Sequence, residues 1–248
     1  MNTPSQAKYQ PARPGSFALG VPLWKRFLDI ICILIFSPLL LPLGFLLAAI
    51  IKLASPGPAI FKQERIGYLG HRFVIFKFRT MVVAAETGIH KNHLDDLMAK
   101  DAPLVKLDAS GDPRLIPGGR ILRAMGLDEL PQVLNVLRGE MSLVGPRPCV
   151  EYEYRRFTTW QRRRFETLPG LTGLWQVRGK NRTTFSQMID FDIQYSENKT
   201  FWMDLKILFQ TVPAILTQVR ESRRRKASAC IATSRTAPLE SSLPQTPQ

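Results

Sequence analysis

From Ile30 to Ile51 the chain carries no charged side chain, and basic residues stand at both ends of the run. As a straight helix it would reach about 33 Å, enough to cross a hydrocarbon core about 30 Å thick. A segment apolar on every side has no water-facing surface, so it must sit in lipid or deep in a core. Ser37-Pro38 falls near its middle, and Pro42 follows. An interior proline deletes one ladder bond and clashes with the carbonyl four residues back, so a kink is expected. Ser37 is placed to satisfy the carbonyl that the proline frees. Lys25 and Arg26 precede the run, while Lys52, Lys62 and Arg65 follow it, so charge gives neither end a reason to cross. Two topologies fit: a Pro-kinked spanning helix, and a re-entrant hairpin of half-helices about 20 Å long with both ends cytoplasmic. A cleaved signal peptide does not fit, because the run is long, starts late and lacks a small-residue cleavage site.

The full chain of 248 residues is expected to form one compact body with tails. Its boundaries are read as a disordered tail over 1–22, a membrane helix over 23–55, a catalytic domain over 56–220 and a disordered basic tail over 221–248. The net charge is +14. The last 28 residues contribute only +3 of that, which leaves +11 on the remainder. The body therefore calls for an acidic partner: nucleic acid, anionic lipid or a phosphorylated substrate. Cys32, Cys149 and Cys230 are isolated, which argues against a disulfide framework or a zinc site.

The densest chemistry lies between Gly119 and Pro148. Asp128 and Glu129 form an acidic pair where a helix is expected to begin, with Pro131 tolerated in its first turn and Gly139 able to close it. Arg120 and Arg123 precede the pair, and Arg147 follows between Pro146 and Pro148. Such a pair ringed by arginines suits a diphosphate held through a divalent metal, because a carboxylate can ligate Mg²⁺ or attack phosphorus. Taken alone, Asp128 fits a helix cap equally well.

Elsewhere, Ala59–Ile66 and Arg72–Met81 alternate with period two around a Gly-containing loop, which predicts a β-hairpin. Lys77 and Arg79 share one face of its second strand and are expected to reach one anion. Ala84–Lys100 reads as an exposed helix whose His90 and His93 are too few for a metal site. Val150–Thr167 reads as a basic, aromatic helix suited equally to a headgroup region or to nucleic acid, and Leu174–Val177 as a short strand. Thr184–Glu197 and Thr200–Val219 read as helices, the second amphipathic and core-packing.

These stretches together resemble the monotopic phosphoglycosyl transferases of the bacterial sugar transferase family, over about Trp24 to Val219. The resemblance is carried by Lys25-Arg-Phe-Leu-Asp29, Ser37-Pro38, Ser55-Pro-Gly-Pro58, Phe61-Lys-Gln-Glu-Arg65, Lys77-Phe-Arg-Thr-Met81, Leu127-Asp-Glu-Leu-Pro-Gln132, Met141–Pro148, Pro169–Val177 and Trp202-Met-Asp-Leu205. Their order and spacing make it specific. It departs at Met125-Gly126, where a basic residue and a Ser or Thr are usual, and at Lys180, where Arg is common.

The resemblance implies an α+β, mainly helical fold: a re-entrant membrane helix broken at Ser37-Pro38, a β-hairpin, and interfacial amphipathic helices around a cytoplasmic catalytic domain. It implies transfer of a hexose-1-phosphate or N-acetylated sugar-1-phosphate from a UDP-sugar to polyprenyl phosphate at the bacterial inner membrane, initiating exopolysaccharide assembly. The form implied is the short one, without an N-terminal multi-span region. Asp128 would be the nucleophile, forming a phosphoglycosyl-aspartate, and Glu129 its metal-supporting or acid/base partner with Mg²⁺. Arg147, Lys77, Arg79, Arg123 and Pro148 would bind the substrate phosphates, and Asp204 is a further candidate. No nucleic-acid partner is expected, and a homodimer is left open. A membrane-anchored, non-catalytic binder of nucleotide sugar or lipid phosphate is the competing reading, and the intact acidic pair speaks against it.

Overall fold

The computed structural model describes residues 20–82, 114–179 and 183–235, with side chains up to residue 220. The expected helix over 84–100 with His90 and His93, Lys180, most of the N-terminal tail and residues 236–248 lie outside the described residues. The chain is mainly helical, with two small two-stranded sheets and one long apolar helix near its N-terminus.

That helix, α1 (Leu23–Ala54), is continuous through Pro38 and Pro42. Pro38 has no N–H to give Leu34, and the Ser37 hydroxyl donates to the orphaned Leu34 carbonyl at 2.8 Å. Both ends of α1 dock on the body. Ile33 packs with Phe73, Ile75, Val136 and Met141, while Leu47 and Ile51 pack with Ala59, Phe78, Ile116 and Leu122. Between the ends the helix is bare: Leu34, Ile35, Phe36, Leu39, Leu41, Phe45 and Leu46 are all exposed.

The predicted hairpin is present. Strands β1 (Ile60–Ile66) and β2 (Arg72–Phe78) pair antiparallel, from Ile60 opposite Phe78 to Ile66 opposite Arg72. A single-turn 3₁₀ segment, Tyr68–Gly70, links them. Beyond the undescribed stretch, α2 (Gly119–Met125) ends at Gly126, which adopts the left-handed conformation. The Asp128–Glu129 segment then forms a 3₁₀ turn, Leu127–Gln132, before α3 (Val133–Leu137). Pro131 cannot donate to Leu127, which explains the tighter turn where an ordinary α-helical start was expected. Gly139 terminates this unit at φ 77°.

The Asn135 side chain fastens this unit to the hairpin edge. Its oxygen accepts the Phe76 N–H at 3.1 Å, and its nitrogen donates to the Val74 carbonyl at 2.7 Å. It thereby completes an exposed strand edge that would otherwise seek another chain.

A second, parallel sheet was not legible in the sequence. It pairs β3 (Ser142–Val144) with β4 (Gly170–Thr172). Gly145, Gly170 and Gly173 press backbone against backbone here, and a Cβ on Gly170 would overlap the Gly145 amide nitrogen. Residues 174–177 were expected to be a strand but form the start of α5 (Leu174–Arg178), because β4 already occupies the place beside β3. The expected basic helix over 150–167 is also broken. It divides into α4 (Glu151–Arg156) and a 3₁₀ turn, Gln161–Phe165. Phe157 and Phe165 turn into the core, and Arg164 is buried against Asp192, so this stretch supplies packing where a helix facing lipid or nucleic acid was expected.

Helix α6 (Phe185–Asn198) begins at a capping box made by Thr184 and Gln187. Helix α7 (Phe201–Arg235) runs past the boundary expected at residue 220. It buries Asp204 and Ile207 but leaves Trp202, Phe209, Val212 and Leu216 exposed, so its apolar stripe is not the core-packing face expected.

The deepest polar contact joins α1 to α7. Lys25 is fully buried, with Nζ 2.5 Å from Asp204 Oδ2, 2.7 Å from the Tyr195 hydroxyl and 2.8 Å from the Val144 carbonyl. Removing one member of a buried ion pair strands the other charge, at a cost of about 3–5 kcal/mol. Asp204→Asn is therefore expected to lower the heat-inactivation midpoint in detergent sharply, while Lys25→Met with Asp204→Leu recovers most of the loss. A double variant no more stable than Asp204→Asn would show that the pair is not the source of the effect.

Candidate active site

Three cations converge on the acidic turn. Lys77, from β2, places Nζ 2.9 Å from Glu129 Oε1, and Arg147 Nη1 approaches the same oxygen at 4.0 Å. Arg65, near the end of β1, joins Lys77, Glu129, Gln132, Arg147 and Pro148 around a cavity of about 10 Å³, room for a single water. Arg65 is buried, gives one N–H to Gln63 Oε1 at 2.7 Å, and leaves its buried Nε without a partner. Asp128 is half-buried on the same turn, and its charge acts on Lys77.

Burial holds the Lys77 ammonium below the ordinary lysine range. The Glu129 charge opposes that shift, and those of Arg147 and Arg65 reinforce it. Arg65 is likewise lowered, first by burial and then by Arg147, with Glu153 pulling it back. The site thus stores positive charge in a partly desolvated place, where an anion gains most. The neighbouring Cys149 thiol is pushed up to about 12 by burial, which makes it inert as a nucleophile.

The positioning of Arg147 follows from the glycine contacts. Gly145 gives its N–H to the Thr172 carbonyl at 2.8 Å, and Gly170 gives its own to the Pro146 carbonyl at 2.9 Å. These bonds pin the Pro146-Arg147-Pro148 segment beside β4, and Arg164 Nη2 donates to the Arg147 carbonyl at 3.0 Å.

Not every expected residue gathers here. Arg79 shares a strand face with Lys77, yet it is buried and donates to the Ser55 and Pro56 carbonyls. It ties the end of α1 to the hairpin and is not part of the anion cradle, because the turn after Ala54 brings those carbonyls within its reach. Asp204 belongs to the Lys25 cluster, away from the acidic pair. Arg123 is half-buried on α2 and off the walls of the cavity that Lys77 and Arg147 line. Arg65, Gln132 and Gln176 were missed as cavity-lining residues. Arg65 and Gln132 stood inside stretches already singled out, so the signal was available. Gln176 donates to the Leu171 carbonyl at 3.2 Å and leaves its buried Oε1 unpaired, an acceptor suited to a substrate hydroxyl.

A second cavity, of about 660 Å³, shares Glu129, Leu171 and Gln176 with the first and is lined by the acidic turn, α5 and α7. Among the described residues no cluster of three or more metal-ligating side chains exists. A Mg²⁺ ion that arrives on a diphosphate needs only one or two protein carboxylates, and Asp128 with Glu129 supplies that donor set.

The match to known proteins agrees with this geometry. The model of the family described as "Bacterial sugar transferase" matches residues 21–218, and the chain belongs to that family. It is 44% identical over 208 residues to a UDP-glucose:undecaprenyl-phosphate glucose-1-phosphate transferase of Caulobacter vibrioides, covering 80% of this chain and 72% of that protein. It is 37% identical to the exopolysaccharide production protein ExoY of Rhizobium meliloti over 195 residues, covering 77% of this chain and 84% of the relative. A third relative is the undecaprenyl-phosphate galactose phosphotransferase of Salmonella typhimurium, 38% identical over 196 residues, covering 77% of this chain but only 40% of that longer protein.

The lowered Lys77 sets a pH expectation. Only its ammonium form could neutralise an anionic substrate, so activity is expected to fall as pH rises through a value below the ordinary lysine pKa of about 10.4. In Lys77→Arg the charge persists, and the alkaline limb of the kcat/KM profile is expected to move upward. A limb unmoved by that substitution would belong to another group.

Proposed function

We propose that this protein transfers a sugar-1-phosphate from a UDP-sugar to undecaprenyl phosphate, the step that begins lipid-linked exopolysaccharide assembly. The observation that carries the reading is the crowding of Lys77, Arg147 and Arg65 about Glu129, one residue from Asp128. A surplus of cations, one of them buried, around a carboxylate pair suits a diphosphate, and the relatives' named activities supply the reaction class.

The reaction runs in two displacements. An Asp128 carboxylate oxygen attacks the sugar-side phosphorus of the donor. A new P–O bond forms, the bond to the bridging oxygen breaks, and UMP leaves with that oxygen and its electron pair. An oxygen of the lipid phosphate then attacks the same phosphorus. The bond to Asp128 breaks, which frees the carboxylate and yields the lipid diphosphate sugar. Lys77, Arg147 and Arg65 hold the phosphate oxygens and stabilise charge as it spreads in each transition state. Gln132 and Pro148 close the wall around them. Mg²⁺, held by Asp128 and Glu129, would further neutralise the diphosphate.

The membrane helix is re-entrant in this reading. Its two docked ends, its exposed apolar middle and the Ser37–Leu34 bond near its centre support a segment that dips into one leaflet and returns. The body then lies on the cytoplasmic face of the inner membrane. Single cysteines placed near positions 22 and 56 are expected to share one labelling pattern in intact cells. Labelling of only one by an impermeant reagent would establish a spanning helix.

The nucleophile is tested by incubating the protein and Mg²⁺ with a UDP-sugar labelled in the sugar, without acceptor. Label is expected on Asp128. Asp128→Asn keeps the shape but lacks the charge needed for attack, and is expected to trap none and to lose turnover by at least about a thousandfold. Label mapped to another residue, or turnover retained in Asp128→Asn, would remove Asp128 from that role. Arg147→Ala is expected to lose about 2 kcal/mol or more in kcat/KM and Arg147→Lys less, because only the guanidinium fork holds two phosphate oxygens at once.

A further inference from the structure

The cavity of about 660 Å³ is within the size range of small-molecule sites, and its walls differ in kind from those of the cationic cavity. It starts at Met125, Gly126 and Glu129 and runs over Leu130, Leu143 and Leu171. The stretch of α7 from Leu208 to Gln218 closes it, and Arg178 is its one cationic lining residue.

Several hydroxyls in these walls are turned onto the protein itself. Thr172 and Thr211 bond each other at 2.8 Å, Thr211 also donates to the Ile207 carbonyl at 2.8 Å, and Thr217 donates to the Pro213 carbonyl at 2.9 Å. With these hydroxyls engaged, the walls offer an occupant a mainly apolar surface, and the remaining polar lining is Glu129, Gln176, Arg178, Gln210 and Gln218.

Two observations connect the cleft to lipid. Leu130, on its floor, also packs against the α1 cluster and lies 3.7 Å from where a Cβ on Gly44 would stand. The wall helix α7 carries Trp202, Phe209, Val212 and Leu216 exposed along its length, and Ile121 and Met125 are exposed on α2 opposite. Helices bare in this manner on either side of a cleft belong at a bilayer surface.

The geometry points to this cleft as the seat of the first isoprene units of the lipid phosphate acceptor, an assignment that rests on the transfer reaction proposed above. Glu129, Leu171 and Gln176 line both cavities and mark the boundary between them. On one side the cationic cavity takes phosphates. On the other the apolar cleft takes hydrocarbon, so the acceptor chain lies under α7 with its phosphate directed past Glu129 toward Lys77 and Arg147. The lipid enters between α2 and α7, not through water.

Ala214→Trp fills the cleft from the α7 wall. The full chain in detergent is assayed for protein labelling by the donor, and for transfer to undecaprenyl phosphate, farnesyl phosphate and methyl phosphate. Donor labelling is expected to stay within about twofold of wild type, while KM rises about tenfold or more for both isoprenoid phosphates and stays unchanged for methyl phosphate. Comparing variant with wild type at each chain length cancels partitioning into micelles. An equal effect on all three acceptors, or none, overturns the assignment, and a selective loss of donor labelling gives the cleft to the nucleotide sugar. Absence of donor labelling in wild type would instead sink the transfer mechanism itself. Should Ala214→Trp fail to fold, wild-type protein is irradiated with a polyprenyl phosphate bearing a diazirine on its second isoprene unit. Crosslinks within residues 208–218 uphold the proposal, and crosslinks confined to other segments refute it.

Discussion

The buried ammonium of Lys25 is the contact on which the rest of the arrangement depends. It meets Asp204 at the start of α7, the Tyr195 hydroxyl from α6 and the Val144 carbonyl from β3. Tyr195 also donates to Asp204 at 2.6 Å, so both carboxylate oxygens are satisfied, and burial beside that carboxylate raises the phenol well above its ordinary range. One turn further along α1, Asp29 accepts from the Ser142 hydroxyl and the Leu143 N–H, each at 2.9 Å. An apolar helix has few ways to specify where it docks, because dispersion contacts slide. A fully desolvated charge with fixed partners permits one register.

That register reaches the chemistry through short covalent distances. Strand β3 is clamped by α1 and leads directly into Gly145-Pro-Arg147-Pro148. The absence of side chains at Gly145 and Gly170 lets β4 lie against this segment. Arg26 adds a second clamp from α1, donating to the Val136 and Leu137 carbonyls at the end of α3. Those carbonyls are the unsatisfied acceptors of a helix terminus, where a cation is favoured. Apolar helix, acidic turn and Arg147 are thereby held as one frame.

Much of this was legible in the sequence, for identifiable reasons. The apolar run, the hairpin, the helix after Thr184 and the Gly139 stop each rest on local signals, and each is present. The role of Ser37 followed from counting back four residues from Pro38. Residues whose partners lie far along the chain were misjudged. Arg79 and Lys77 look equivalent on one strand face, but only the fold places the Ser55 and Pro56 carbonyls beside one and Glu129 beside the other. Arg164 read as one of several surface arginines until Asp192 was brought to it. Asp204 attracted notice as an isolated acid within a matching motif, and its partner is 179 positions away. Strand β4 is three residues long, too short for any periodicity to announce it.

The two cavities that share Glu129 explain why a covalent intermediate suits this architecture. A water-soluble diphosphate and a lipid phosphate are both anionic, and a site able to hold both at once would have to neutralise the charge of both together. The cationic cavity is small, about 10 Å³, and is formed around a single carboxylate. In the proposed reaction, parking the sugar phosphate on Asp128 would let UMP leave, so that the same three cations could serve the second phosphate in turn. The apolar cleft needs no such alternation, since a hydrocarbon chain there does not compete with a nucleotide for charge. Separate addresses for chain and phosphate, as proposed, would allow a site this small to serve substrates from two phases.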